Sequence, residues 1–219
     1  MKAMILAAGR GERMRPLTDK IPKPLLTVGG KSLIEYHIAA LKQAGIREFV
    51  INVAWLGDQI IQHLGTGEKH GVQIQYSKET EVLETAGGLL KALPLLGDDP
   101  FIVVNADIYT DYDFRALPKV PKLLAHLILV ANPAQHPTGD FSISNGLICA
   151  KETITFTFSG IAVYKKTFFN GLMPGKKPLA PLLKQAMQQQ QISAEVHQGK
   201  WFDIGTPERL EKLDRALSS

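Results

Sequence analysis

One cysteine, Cys149, stands in a chain of 219 residues. That scarcity excludes an internal disulfide framework and Cys-rich metal sites. No apolar run reaches the roughly eighteen residues that a membrane-spanning helix needs. No basic run of the kind that tracks a nucleic-acid backbone is present: 25 Lys and Arg are interspersed with 21 Asp and Glu, for a formal net charge of +4. An excess of that size bears on solubility and on the steering of anionic small molecules, not on fold. The six histidines show no metal-ligand spacing, and no Ser-His-Asp set can be argued. There is no internal repeat and no linker that splits the chain; low complexity is confined to Gln188–Gln191, read as an exposed helix end. Met1 to Ala8 reads as a first strand rather than a signal peptide, because it runs straight into a Gly-rich loop. The expectation is one cytoplasmic domain over residues 1–219, with neither nucleic acid nor a membrane as partner.

What is present alternates between two periods. Residues 2–8 form a short apolar run of the buried-strand kind. Residues 32–44 read as a helix with a Ser32/Glu35 capping box and Gly45 to end it. Strand segments follow at 48–54, 72–77 and 101–105, separated by a short helix at 57–65 and by a helix capped by Thr85, running through Leu93 and stopped by Pro94. Such alternation implies a parallel sheet with helices on both faces. Ligands in sheets of this kind bind beyond the C-terminal strand ends. Polar or Gly-rich segments fall there at 9–15, 78–84 and 105–111. After Tyr112 the pattern turns β-rich: strands at 123–132, 141–150 and 153–164, with tight turns at Asn145-Gly146 and Lys151-Glu152. A helix at 179–190, a strand at 193–198 and a last helix opened by Thr206-Pro207 complete the chain. Cys149 reads as a buried apolar residue of a strand.

Residues 6–26, LAAGRGERMRPLTDKIPKPLL, are the most informative stretch. Gly9 and Gly11 let a backbone approach phosphates with its N–H groups facing inward. No Walker loop is present, and a dinucleotide fingerprint would need a third small residue where Met14 stands and a helix where Arg15-Pro16 extends the chain. Positive charge then follows at Arg13, Arg15, Lys20 and Lys23, with Lys23 held between Pro22 and Pro24 in an extended segment. Asp107, in Asn105-Ala106-Asp107, lies directly after an apolar strand, and Asp203 stands at another strand end; such carboxylates suit Mg²⁺ or serve as caps. In residues 77–88, Glu79 and Glu84 offer acceptors to a base or ribose, and Gly87 and Gly88 permit close approach.

As a set these motifs resemble the sugar-1-phosphate nucleotidyltransferase family, whose pattern LAAGxGxRxxPLTxxxPKPL is matched at every fixed position by residues 6–25. Asp107 corresponds to the family's metal-binding Asp, Asp203 to the Asp of W-x-D-I-G-T-P-E, and Leu83–Gly87 to its LGTAG segment, with Glu84 replacing Gly. The resemblance implies a Rossmann-like nucleotidyltransferase fold: a mostly parallel central sheet with helices on both faces and a small β-rich sugar-binding portion. Residues 1–111 would bind mainly the nucleotide, and 112–219 mainly the sugar, with the second metal Asp. It implies attack by a sugar 1-phosphate oxygen on the α-phosphorus of a nucleoside triphosphate, with pyrophosphate leaving. Backbone from Ala8 through Gly11 would cradle the triphosphate, Arg13 would stabilise the departing pyrophosphate, and Lys23 would sit on the phosphates at the reacting centre. Glu79, Glu84, Gly87 and Asn105 would serve the nucleotide, while Asp107 and Asp203 would hold Mg²⁺.

Within the family the chain is most similar to the compact uridylyltransferases that act on N-acetylmuramate 1-phosphate in bacterial cell-wall recycling, through AWLG (54–57), LETAGG (83–88), TDYDF (110–114), GDFS (139–142) and FTFSGI (156–161). By that likeness UTP is the favoured nucleotide, and Asp140 and the backbone around Gly146 and Gly160 would face the sugar. The Glu-Lys-Pro that holds the sugar phosphate in many longer relatives is missing from 145–159, which leaves Lys177 as the candidate. Three other readings remain. The same reaction could use mannose 1-phosphate with GTP, or glucose 1-phosphate with UTP or dTTP. A catalytically silent relative would be expected to lose a phosphate or metal residue, and none is lost. A flavin or nicotinamide enzyme is disfavoured by Met14 and Pro16.

Overall fold

The computed structural model describes residues 1–218. Strand β1 (Ala3–Leu6) opens the chain and leads through three single 3₁₀ turns into a ribbon of β2 (Thr27–Val28) and β3 (Lys31–Ser32). There follow α1 (Leu33–Gln43), β4 (Glu48–Val53), α2 (Gly57–Leu64), β5 (Gln73–Lys78), α3 (Glu84–Leu96), β6 (Phe101–Asn105) and β7 (Ile108–Thr110). The second half holds β8 (Ala125–Val130), β9 (Ser142–Ser144), β10 (Leu147–Cys149), β11 (Thr157–Tyr164), α4 (Ala180–Gln188), β12 (Ile192–His197), β13 (Trp201–Asp203) and α5 (Pro207–Ser218).

Nine strands form one sheet in the order β5-β4-β1-β6-β11-β8-β12-β10-β9. The ladders β4–β5, β1–β4, β1–β6 and β12–β8 are parallel. Only β11 and β10 run against the rest, since each is antiparallel to both of its neighbours. The sheet is therefore mostly parallel, and one continuous ladder joins the two halves of the chain.

Alternation along the strands divides the core into two layers. Ala3 and Ile5 of β1 and Ile102 and Val104 of β6 pack with Ile34, Ile38 and Leu41 of α1 and Ile60 and Leu64 of α2. Met4, Phe101 and Val103 point the other way, onto Leu89 and Leu96 of α3 and Leu183 of α4. Strands covered on both faces must be apolar throughout, which is why MIL and FIVV carry no alternation. Each such side chain contributes about 1.5–3 kcal/mol by burial. A third cluster, with Met14, Leu26, Leu33, Ile204 and Leu213, fastens the loop after β1 and helix α5 to one end of the sheet.

The Ser32/Glu35 capping box forms, with Glu35 accepting from the Ser32 N–H at 2.9 Å and the Ser32 hydroxyl at 2.6 Å. The Asn145-Gly146 turn also forms, both residues taking positive φ between β9 and β10. Four expectations need correction. Helix α3 begins at Glu84 rather than being capped by Thr85, and it runs through Pro94 to Leu96. The proline stands in the last turn, where a missing N–H costs one hydrogen bond and not the helix. Lys151-Glu152 is not a hairpin turn, because β10 pairs with β9 and β12 while β11 pairs with β6 and β8. Lys23 lies in a 3₁₀ turn, Lys23–Leu25, where N–H groups of Leu25 and Leu26 reach the Pro22 and Lys23 carbonyls at 2.8 and 3.1 Å. Cys149 is half-buried, its Sγ 3.8 Å from a Glu152 oxygen.

Candidate active site

The three polar segments meet. Loops after β1, β5 and β6 and the turn at Lys23 enclose a recess whose wall includes Ala8, Gly9, Lys23, Glu79, Glu84 and Asn105. It opens into a wider cleft that carries Gly11, Arg13 and two further cations, Arg10 and Lys176. Gly11 has φ +64, a conformation that L side chains resist, and a Cβ there would stand 2.9 Å from Thr18 Cγ2. The Thr18 hydroxyl donates to the Gly11 carbonyl at 2.8 Å and fixes the loop's curvature. A Cβ on Gly9 would meet nothing within 4 Å, so that glycine leaves its backbone open to a large anion.

Lys23 is 8% exposed, and its Nζ donates to Asp107 Oδ2 at 2.7 Å. Asp107 owes its place to β7 and β13: Asp203 faces Ile108 across that ribbon, and the Ile204 N–H donates to the Asp107 carbonyl at 2.9 Å. The two aspartates, distant in sequence, thus share one cavity wall, where Trp201 also stands. Asp203 Oδ2 accepts from Arg209 Nη1 at 2.5 Å. Gly205 makes this possible, since a Cβ there would lie 2.7 Å from Arg209 Nη1, 3.3 Å from Asp203 Oδ1 and 3.4 Å from Arg13 Nη1. Under the ribbon His37 is 2% exposed and hydrogen-bonded to the Ile108 carbonyl at 2.8 Å. Burial pushes its pKa down to about 4, against the weaker pull of that bond and of Asp107. It is neutral at ordinary pH and supports β7 by donating.

Glu79 is held by a relay that the sequence did not announce. Asn52, at the end of β4, accepts the Ala7 N–H at 2.9 Å and donates to Glu79 Oε1 at 2.7 Å. The Leu83 N–H donates to the other oxygen at 3.1 Å. Gly88 is required here, since a Cβ would stand 2.7 Å from Glu79 Oε1 and 2.9 Å from Asn52 Nδ2. Glu84 takes φ +59 at the start of α3 and pairs with Lys176 at 3.6 Å.

Other candidates fall elsewhere. Gly87 does not face the recess: a Cβ on it would strike the Gly175 carbonyl at 2.4 Å, and its N–H, with that of Ala86, donates to the Lys177 carbonyl. Its close approach is to protein, not to ligand. Lys177 therefore caps α3 through its backbone, and cavity wall in that stretch comes from Lys176 and Pro178 on either side. Gly146 is exposed at the β9–β10 turn, its carbonyl accepting from the Ala194 N–H at 2.9 Å. Asp140 and Gly160 do line a cavity of about 610 Å³ beside Asn105. Asp140 accepts the Phe158 N–H at 2.8 Å and lies 3.1 Å from His136 Nε2. Gly160, φ +85, sits in the register shift of β11, where a Cβ would meet Asn105 Nδ2 at 2.6 Å. Asn52, Arg10, Lys176 and Arg209 were missed. Arg209, six residues after Asp203 at the start of a capped helix, was the one whose position could have been suspected.

The profile of the nucleotidyl transferase family matches residues 2–139, and the chain belongs to that family. It is 51% identical over 97% of its length, and 96% of the relative's, to N-acetylmuramate alpha-1-phosphate uridylyltransferase of Neisseria meningitidis serogroup B. The enzyme of that name from Caulobacter vibrioides is 33% identical, over 94% of this chain and 92% of the relative. Among solved structures, one from Bacillus anthracis described as a glucose-1-phosphate thymidylyltransferase superposes with a TM-score of 0.87 at 25% identity, covering 99% of this chain and 95% of that one.

Proposed function

We propose that this protein transfers the uridylyl group of UTP to N-acetylmuramate 1-phosphate, releasing pyrophosphate, as a cytoplasmic step of cell-wall recycling. The observation that carries the chemistry is the meeting of Lys23, Asp107, Asp203 and the Gly9–Gly11 loop at one set of strand ends. The 51% identical relative favours the substrate pair.

Such a transfer asks a protein mainly for positioning and charge neutralisation. The open backbone at Gly9 and the cations Arg10, Arg13 and Lys176 would receive the triphosphate, Arg13 facing the departing pyrophosphate. Lys23, restrained between two prolines, would place one cation against the α-phosphate. Glu79, anchored by Asn52 and Leu83, has lone pairs left to accept an N–H of the base; this suits the imide of uracil. Asn105 stands between the nucleotide recess and the Asp140–Gly160 cavity, where the acceptor would sit. Among the described residues no group of three or more His, Cys, Asp or Glu could hold a metal ion. Two carboxylates facing an open cleft nonetheless fit Mg²⁺, which often takes one or two protein carboxylates and completes its shell with waters and phosphate oxygens. Asp107 and Asp203 would hold it, and when bound it would draw charge from the α-phosphate and orient the attack.

Pyrophosphate release, measured over a panel of sugar 1-phosphates and nucleoside triphosphates with Mg²⁺ and with chelator, tests this. Release with UTP and N-acetylmuramate 1-phosphate, abolished by chelator, is expected. Release with mannose 1-phosphate and GTP instead would keep the chemistry and replace the substrates. Persistence in chelator would remove the metal.

A further inference from the structure

A cavity of about 610 Å³ with a mostly apolar wall, near the acceptor position, is built by β11, the start of α4 and the stretch around residue 151. Ala180, Leu183 and Lys184 line it from one face of α4, as the i, i+3, i+4 rule requires. Lys151 reaches it from beyond β10. Charge in this wall is unbalanced in a specific way. Each acid already has a partner: Asp140 has His136 at 3.1 Å and the Phe158 N–H at 2.8 Å, and Glu84 has Lys176 at 3.6 Å. Neither the Lys151 nor the Lys184 side chain has an ion pair or hydrogen bond among the described residues. Tyr164 belongs to the same wall, fully buried, with a hydroxyl that has no partner among the described residues.

We propose that Lys151 and Lys184 recognise a carboxylate carried on the sugar ring of the acceptor. The inference rests on the acceptor reading above and says which residues set it. The acceptor's phosphate has another place. It has to reach the α-phosphorus beside Lys23 and Asp107, where β1 and β6 end. Strand β10, which leads to Lys151, lies four positions from β6 in the sheet order, and α4 packs on β10 and β12. Lys23 and Asp107 line the recess and the cleft but not this cavity, whereas Lys151 and Lys184 line this cavity and neither of those. A ring held at Asn105, Asp140 and Gly160 with its phosphate towards Asp107 turns its far substituents towards the two lysines. On N-acetylmuramate that substituent is a lactyl ether ending in a carboxylate; on N-acetylglucosamine the ether is absent. Two cations with no internal partner match the former.

Steady-state kinetics with Mg²⁺ and UTP test the idea on wild-type, Lys151→Met, Lys184→Met and doubly substituted protein. N-acetylglucosamine 1-phosphate serves both as acceptor and as competitive inhibitor. Each single change is expected to lower kcat/KM for N-acetylmuramate 1-phosphate about tenfold, through KM, as loss of one charge-assisted hydrogen bond does. The double change is expected to lower it about a hundredfold, with the KM for UTP and the constants for the neutral sugar within twofold of wild type. Lys184→Glu is expected to invert the preference. Both lysines are exposed, so the variants keep the wild-type melting temperature. Equal losses for both sugars, or a preference that survives the double change, would overturn this inference and leave the acceptor reading standing. Wild-type protein inactive with N-acetylmuramate 1-phosphate would overturn both.

Discussion

At the β1–β6 end of the cleft, Asn52, Glu79 and Lys23 are each under 10% exposed and each bonded to another group of the protein. At the β10–β12 end, Lys151 and Lys184 are exposed, and their side chains have no ion pair or hydrogen bond among the described residues. On the function proposed above, the first end would receive a triphosphate and a base, the same in every turnover. Groups locked before binding lose little entropy when such a ligand arrives. The second end would meet the acceptor with long side chains that must be ordered at that moment. Affinity is thus preorganised where the ligand is constant, and discrimination is left to residues that can change without disturbing the fold.

Breaking the locked end has the largest expected effects. Lys23→Ala should lower turnover about 10²–10³-fold, because one aligned cation at a transferring phosphate is worth that much, and should leave the protein folded with a melting temperature about 2–4 °C lower through loss of the Asp107 pair. A near-normal rate of pyrophosphate release would remove Lys23 from the reacting centre. Asn52→Leu should cost about 3 kcal/mol in urea unfolding, since it strips the Ala7 N–H and Glu79 of their shared partner inside the protein. A loss under 1 kcal/mol would mean that water replaces the amide and that the relay is not rigid. His37 gives a pH signature of the same end. Its pKa is 6.5 when free and about 4 when folded, so the unfolded chain takes up the proton first as pH falls. Its contribution is full above pH 6.5 and is lost as the pH falls towards 4, up to about 3 kcal/mol. His37→Gln should flatten the urea midpoint over that window; an unchanged slope would show that another group is responsible. The smallest effect falls at the other end. Gly146→Ala, at φ +76 with open space around its Cβ, should cost about 1 kcal/mol and leave the KM of both substrates alone. A raised acceptor KM would return Gly146 to the sugar site.

Legibility in the sequence follows the same division. Gly9, Gly11, Lys23 and Asp107 could be read because backbone geometry demands particular residues at fixed spacing: glycine where φ is positive, as at Gly11, or where the backbone must lie open, as at Gly9, proline around a restrained lysine, a carboxylate after an apolar strand. Strands β1, β4 and β6 were legible because burial on both faces leaves no alternative to an apolar run. The Asn52–Glu79 relay was not, for an asparagine ending an apolar strand looks like any turn residue until β4 and β5 are paired. Lys151 and Lys184 were hidden for the opposite reason. Exposed lysines occur along the whole chain, and only the fold shows which two share a wall. Gly87 and Lys177 misled because close backbone approach looks the same in sequence whether the approaching atom belongs to a ligand or, as here, to the loop at 175–177.

The pairs Lys23–Asp107 and Arg209–Asp203 carry a consequence for how the protein is assembled. Two bare carboxylates on neighbouring strands would repel each other, and a chain that relied on a cation to quiet them would be unfolded without it, as small zinc domains are. Here the polypeptide supplies its own counter-ions, one from the loop after β1 and one from the first turn of α5. Folding would then not wait on a bound cation. If Asp107 and Asp203 hold the proposed metal, the protein would survive its removal without coming apart, and activity would follow cation supply rather than the protein's own stability.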